Sequence, residues 1–69
     1  MSESYVIANG SQIAGQFPCS IEEFLLRQEL LPRSVVVEHN ELAVAPSEFP
    51  VRLVHAGDRL EIVRVVAGG

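Results

Sequence analysis

The sequence contains no lysine, no tryptophan and only one cysteine. Its five arginines are scattered and are outnumbered by nine acidic residues, which gives a formal net charge of −4. Nucleic-acid binding needs a cationic surface that displaces counterions, and this chain has no basic run, so we do not expect nucleic acid as a partner. An acidic domain of this kind is expected to dock onto a more basic protein.

Long apolar runs are also missing. No stretch approaches the roughly 20 residues that cross a bilayer, and the first ten residues, MSESYVIANG, lack the basic start and apolar core of a secretory signal. The single cysteine, Cys19, cannot form an internal disulfide, and it rules out a cysteine-rich zinc site. We therefore expect a reduced, cytoplasmic protein with no membrane partner and no metal site.

What remains is the composition of a small folded domain. Of the 69 residues, 48% are hydrophobic and 20% are charged, which is typical of globular proteins. A chain of this length buries only about 60% of its unfolded surface, so its core is thin. We predict a single domain over residues 1–69, of which residues 66–69 form a flexible C-terminal tail.

The predicted order of elements is strand, strand, helix, strand, strand, strand. Two β-rich runs flank Asn9-Gly10, which is the strongest short-range signal for a hairpin. Ser20 and Glu23 form a capping box that begins a helix, and Pro32 is expected to end it near residues 30–31. The predicted strands are 4–8, 11–17, 34–39, 42–45 and 59–66. This order and length predict an α+β fold, the β-grasp or ubiquitin-like fold, with one helix packed on one face of a four- to five-stranded mixed sheet.

The last strand carries apolar side chains on both of its faces. Leu60 and Ile62 alternate with Val63 and Val65, and Val66 follows. If the first two face the helix, the valines lie on the uncovered face of the sheet. Exposed apolar side chains favour a docking surface for a partner, but valine is also common in strands without such a role, and dimer packing could cover it as well.

The chain ends in Ala67, Gly68 and Gly69. A terminal carboxylate, with a reference pKa of about 3.3–3.7, is ionised and is a poor acyl donor until it is activated. An enzyme that adenylates it with ATP must close around the chain end, and two glycines give the smallest cross-section and the widest φ/ψ freedom. A glycine doublet can be merely a frayed end, but its place after the last strand of a ubiquitin-like order favours a tail that threads a partner's active site.

Three segments resemble the ThiS family, the small sulfur carriers of thiamine biosynthesis. They are GDRLEIVRVVAGG, the helix SIEEFLLRQEL and the run VVVEHNELAVAPSEF, which together cover nearly the whole chain. The sequence departs from the family at Gln28, where an apolar residue is usual. It also departs in APSEFP, where members often have a basic residue after proline.

The resemblance implies a mechanism in which the chain is a carrier and not an enzyme, with no catalytic residue and no bound cofactor. An E1-like adenylyltransferase, ThiF, would dock on the sheet face and use ATP to form an acyl-adenylate at Gly69. A sulfur donor such as a cysteine desulfurase would then supply sulfur for a thiocarboxylate. The thiazole synthase ThiG would receive that sulfur.

Three alternatives share some of these features. A molybdopterin-synthase small subunit of the MoaD type has the same fold and tail chemistry. A ubiquitin-like protein modifier would end in an isopeptide bond, although the missing lysine argues against chains built on the modifier itself. A simple interaction module would make no use of its terminal glycines.

The remaining reactive side chains have ordinary interpretations. Cys19 stands just before the helix, where its pKa could be slightly lowered, but we expect a small packed residue there and not a nucleophile. His39 and His55 have no cluster of ligands at zinc spacing. Both histidines are predicted to be surface or turn residues.

Overall fold

The computed structural model describes residues 4–65, which form a five-stranded mixed sheet, a short two-stranded sheet and one α-helix. In chain order the elements are β1 (Ser4–Ala8), β2 (Ser11–Gly15), β3 (Cys19–Ser20), α1 (Ile21–Arg27), β4 (Val35–His39), β5 (Leu42–Val44), β6 (Leu53–Val54) and β7 (Arg59–Arg64). Two 3-10 turns, Pro32–Ser34 and Pro46–Glu48, begin at prolines, whose fixed φ suits the first position of a helical turn.

The main sheet has the spatial order β2-β1-β7-β4-β5. The central strands β1 and β7 are parallel, whereas β1 with β2, β4 with β5 and β4 with β7 are antiparallel. The short strands β3 and β6 pair separately. This arrangement confirms the predicted mixed sheet with one helix, and it places the last strand between two neighbours and not at an edge.

Both hairpins use two-residue turns in which both central residues have positive φ. The first turn has Asn9 at φ 51° and Gly10 at φ 84°, and the second has Asn40 at φ 50° and Glu41 at φ 72°. Such turns match the twist of the flanking strands and favour asparagine followed by glycine. The first turn is therefore relaxed, while the second holds a glutamate in a left-handed conformation that glycine adopts more easily.

The helix begins where the sequence predicts and ends earlier. The Ser20 hydroxyl accepts from the Glu23 amide, and the Glu23 carboxylate accepts from the Ser20 amide, each at 3.0 Å. The predicted end at residues 30–31 is wrong, because the chain turns at Glu29, which has φ 62°. The Glu29 amide donates to the Leu26 carbonyl at 3.0 Å and the Leu30 amide to the Leu25 carbonyl at 2.9 Å, a Schellman motif that closes the helix after Arg27.

The core lies between α1 and the inner face of the sheet. In β4, Val35, Val37 and His39 are buried while Val36 and Glu38 are exposed, the alternation expected of a sheet covered on one side. The buried apolar side chains are Val6, Cys19, Ile21, Phe24, Leu25, Val35, Val37, Val44, Phe49, Val54 and Leu60. Within residues 4–65, no helix has the length and apolar character needed to cross a membrane.

Candidate functional site

The strand that leads to the predicted tail is hydrogen-bonded up to the last described residue. On one side, β4 pairs with β7 as far as Val35 opposite Arg64. The Val65 amide then donates to the Ser34 carbonyl at 2.8 Å. The predicted tail residues, Val66, Ala67, Gly68 and Gly69, lie outside the described residues, so the roles predicted for them stay predictions.

On its other side, β7 is held by a side chain. Backbone pairing between β1 and β7 covers only Ile7 opposite Arg59 and Ala8 opposite Leu60. The Oδ1 of Asn9 then accepts from the Ile62 amide at 2.7 Å, and its Nδ2 donates to the Ile62 carbonyl at 2.9 Å. The sequence marks Asn9 as a turn residue only, because nothing local shows that β7 passes beside this turn.

The uncovered face of the sheet carries an exposed group of valines next to the start of the predicted tail. Leu60 is 1% exposed and Ile62 packs partly against the core, as predicted, whereas Val63 and Val65 are 61% and 51% exposed. Val36, 53% exposed, lies directly opposite Val63 in the register of β4 and β7. We call Val36, Val63 and Val65 the valine patch. The sequence predicts its β7 members but not Val36, whose place depends on the register between distant strands.

Two carboxylates lie beside the valine patch. Glu38 and Glu61 are exposed and directly opposite each other, two residues along the strands from Val36 and Val63. Directly opposed side chains have Cβ atoms about 4.5–5.5 Å apart, so two like charges repel there. Among the described residues, neither carboxylate lies within 4.0 Å of a cationic nitrogen. The face therefore offers apolar surface next to concentrated negative charge.

His39 is buried, and the prediction that it is a surface or turn residue is wrong. Its Nε2 donates to the Oδ2 of Asp58 at 2.7 Å, and its Nδ1 accepts from the Nε of Arg52 at 2.9 Å. Both ring nitrogens are thus occupied by internal partners, which fixes the orientation of the ring. His55, by contrast, is exposed, as predicted.

The carboxylate of Asp58 joins this cluster to the turn before β7. Burial alone would raise the pKa of Asp58, but hydrogen bonds from the His55 amide and the His39 ring outweigh it and hold that pKa below its ordinary value. Arg52 also pairs with Glu48 at 3.3 Å. The cluster ties the segment after β5 to the sheet, and no ring nitrogen is left for a substrate.

Cys19 is not placed for nucleophilic chemistry. The side chain is 3% exposed and pairs through β3 with Val54. Burial is the largest influence on its thiol and raises the pKa, with Glu23 adding to the rise and Arg27 opposing it. A buried thiol with a raised pKa stays protonated and inert near neutral pH. Within residues 4–65, no three His, Cys, Asp or Glu side chains are grouped so that they could hold a metal ion.

Known proteins resemble the chain over nearly its whole length. The model of the ThiS family matches residues 4–69. A crystal structure of the thiamine biosynthesis protein ThiS from Geobacter metallireducens is 24% identical, with a TM-score of 0.78, over 94% of this chain and 99% of that chain. A solution NMR structure of a thiamine biosynthesis protein from the same organism is 25% identical, with a TM-score of 0.76, over 94% and 87% of the two chains. None of the curated proteins matches the chain significantly. The likeness to these structures confirms the β-grasp fold.

Proposed function

Because this chain belongs to the ThiS family, we propose that it is the sulfur carrier for thiazole formation in thiamine biosynthesis. Family membership supports a sulfur-carrier role, and the observation that carries the proposal is a family match that extends through Gly69. The sulfur is held at the carbonyl carbon of Gly69 as a thiocarboxylate. The match to the thiamine carriers also favours this product over molybdopterin.

The proposed chemistry takes place in partner active sites. A terminal carboxylate oxygen attacks the α-phosphorus of ATP and pyrophosphate leaves, which gives the acyl-adenylate. The persulfide of a donor such as a cysteine desulfurase then attacks the acyl carbon and AMP leaves, which gives an acyl disulfide. A second thiol of the partner proteins attacks the donor's sulfur, so that the S–S bond breaks, the thiocarboxylate is released and the two partner sulfurs are oxidised to a disulfide. One terminal oxygen is thereby replaced by sulfur, which passes to a ThiG-type thiazole synthase. Ala67 and Gly68 form the thin section that enters the active site of the ThiF-type adenylyltransferase.

The described residues supply a rigid base and a docking face for these partners. The strand β7 is the middle strand of the sheet and is bonded on both sides. The valine patch spans β4 and the end of β7, directly before the tail. The apolar surface of the patch favours a partner with apolar side chains at this position. The adjacent Glu38–Glu61 pair favours a partner that also places a basic side chain beside them.

The docking face can be tested apart from the tail. Val63→Asp places a charge in the valine patch and is expected to raise the KM for the carrier in adenylation by about tenfold, the loss of roughly 1.4 kcal/mol of binding. Val51→Asp is the matched control, because Val51 is 74% exposed and lies outside the sheet face. Equal KM values for both variants would contradict docking on the valine patch.

The experiment for the function itself is intact-mass analysis. The chain is incubated with a ThiF-type adenylyltransferase, ATP and a sulfur source. Exchange of one oxygen for sulfur supports the carrier, and Cys19→Ser is expected to show the same exchange. A covalent conjugate to another protein would instead show a protein modifier. No change with a demonstrably active partner would leave only an interaction module.

A further inference from the structure

The end of β7 is held differently by its two neighbours. On the β4 side, backbone bonding continues to the Val65 amide. On the β1 side, backbone pairing stops at Ala8 opposite Leu60, because the chain turns away at Asn9-Gly10. Without another partner, the amide and carbonyl of Ile62 would face no strand on that side.

The carboxamide of Asn9 supplies the missing rung. The backbone amides of β1 and its turn donate at every second residue to β7 and the residue just before it, from Ile7 to the Asp58 carbonyl and from Asn9 to the Leu60 carbonyl, both at 2.9 Å. The next position is Ile62, where the Asn9 side chain bonds both backbone groups. The side chain therefore does what one more strand residue would do.

Asparagine is suited to this position on two grounds. Its backbone accepts the φ of 51° that the turn requires. Its side chain carries a donor and an acceptor on one terminal group, which is what pairing with both an amide and a carbonyl needs. Aspartate would keep only the acceptor, and glycine would keep only the backbone conformation.

We propose that Asn9 is a positioning residue for the carrier reaction: its carboxamide fixes the final part of β7 and thereby the point from which the tail enters a partner. This inference rests on the proposed function. Ile62 lies about 10 Å of strand before Val65. Within the described chain, nothing bonds β7 beyond Ile62 on the β1 side. Loss of the carboxamide leaves residues 62–65 bonded on the β4 side alone. The position from which the tail enters a partner then varies more, and small misplacements of a reacting group slow a reaction.

The second hairpin provides a matched control. The Oδ1 of Asn40 accepts from the Arg59 amide at 2.8 Å, and the Asn40 amide donates to the Arg59 carbonyl at 2.8 Å. Asn40 has nearly the same φ, 50°, and sits in an equivalent two-residue turn. Its bonds hold the start of β7 and not the end. Asn40→Gly removes the one side-chain hydrogen bond, keeps the backbone one, and leaves the bonds at Ile62 unchanged.

The test compares Asn9→Gly with Asn40→Gly in the full chain, since glycine keeps both turn conformations. With a ThiF-type adenylyltransferase, we expect Asn9→Gly to lower kcat for acyl-adenylate formation about three- to tenfold, because part of the net contribution of the two lost hydrogen bonds is felt in the transition state. The KM for the carrier is expected to change less than kcat, because all three side chains of the valine patch are retained and the β4 side still holds Val63 and Val65. Asn40→Gly is expected to keep the wild-type kcat. Asn9→Asp is expected to fall between Asn9→Gly and the wild type.

Hydrogen exchange at the Val65 amide gives an independent readout. This amide bonds to the Ser34 carbonyl and not to Asn9. Faster exchange in Asn9→Gly, but not in Asn40→Gly, would therefore show that the Asn9 carboxamide orders the end of β7. Equal kcat losses in the two glycine variants, or no loss in Asn9→Gly, would overturn the inference. If Asn9→Gly does not fold, Asn9→Asp decides the matter by the same comparison. Failure of the wild-type chain to be adenylated would instead overturn the proposed function.

Discussion

At the scale of single residues, polar side chains hold together parts of the chain that regular pairing leaves loose. His39 is the most enclosed example, because it bonds Asp58 and Arg52 while 6% exposed. A small domain with a thin core depends on such contacts more than a large one does. The histidine is therefore expected to act in folding and not in chemistry.

His39→Ala is expected to lower the free energy of unfolding by about 2–4 kcal/mol, because it opens a cavity and removes the hydrogen bonds of the ring to two partly buried side chains, Asp58 and Arg52. His55→Ala is the control, since the exposed ring of His55 should contribute within about 0.5 kcal/mol. Chemical denaturation of both variants measures the difference. Equal stabilities would contradict a structural role for the His39 ring.

The lowered pKa of Asp58 makes the free energy of unfolding decrease at acidic pH. Because the folded pKa lies below the unfolded one, the stabilisation is complete above the unfolded value of about 3.9. It is lost as the pH falls through the folded pKa. Asp58→Asn keeps an oxygen acceptor but cannot titrate. Its unfolding free energy, followed from pH 6 to pH 2, is therefore expected to fall less than that of the wild type, and parallel curves would contradict the assignment.

At the scale of elements, the turns decide how the strands meet. The first hairpin has the preferred Asn-Gly, and the second places Glu41 at φ 72°. Glu41→Gly relieves this conformation and is expected to raise the free energy of unfolding by about 1 kcal/mol. Gly10→Ala, which introduces a side chain at φ 84°, is expected to lower it. Thermal unfolding of the two variants measures both, and shifts of the same sign would contradict the explanation.

Local patterns predict most of these elements, and long-range contacts account for what they miss. The capping box at Ser20 and Glu23 and the Asn-Gly turn act within a few residues, so the sequence shows them directly. The early end of α1 depends on Glu29 in a left-handed conformation, which glycine usually adopts and glutamate rarely signals. The burial of His39 and the clamp by Asn9 depend on partners 13 to 53 residues away along the chain, and no local pattern reveals them.

At the scale of the whole molecule, the chain has a net charge of −4, and on the exposed face of its sheet Glu38 and Glu61 lie directly opposite each other. Removing one charge should relieve repulsion in the free chain. Glu61→Gln is therefore expected to raise the free energy of unfolding by a few tenths of a kcal/mol at low salt. The gain should shrink as salt screens the pair.

A double-variant cycle isolates this pair from the rest of the acidic surface. The double variant Glu38→Gln/Glu61→Gln is expected to gain less free energy of unfolding than the two single variants gain together, because either substitution alone already removes the repulsion. Fully additive gains would contradict direct repulsion. If a basic side chain of the partner binds the two carboxylates, the same variants should also weaken docking while they stabilise the free chain.

The central claim is that sulfur is carried at the chain terminus, and trypsin makes this directly measurable. The chain has no lysine and its last arginine is Arg64, so digestion releases residues 65–69 as one peptide, whereas Cys19 falls within residues 1–27. Tandem mass spectrometry of the sulfurated chain is predicted to find one oxygen replaced by sulfur in the 65–69 peptide. An additional sulfur atom in the 1–27 peptide, with an unmodified 65–69 peptide, would contradict the account.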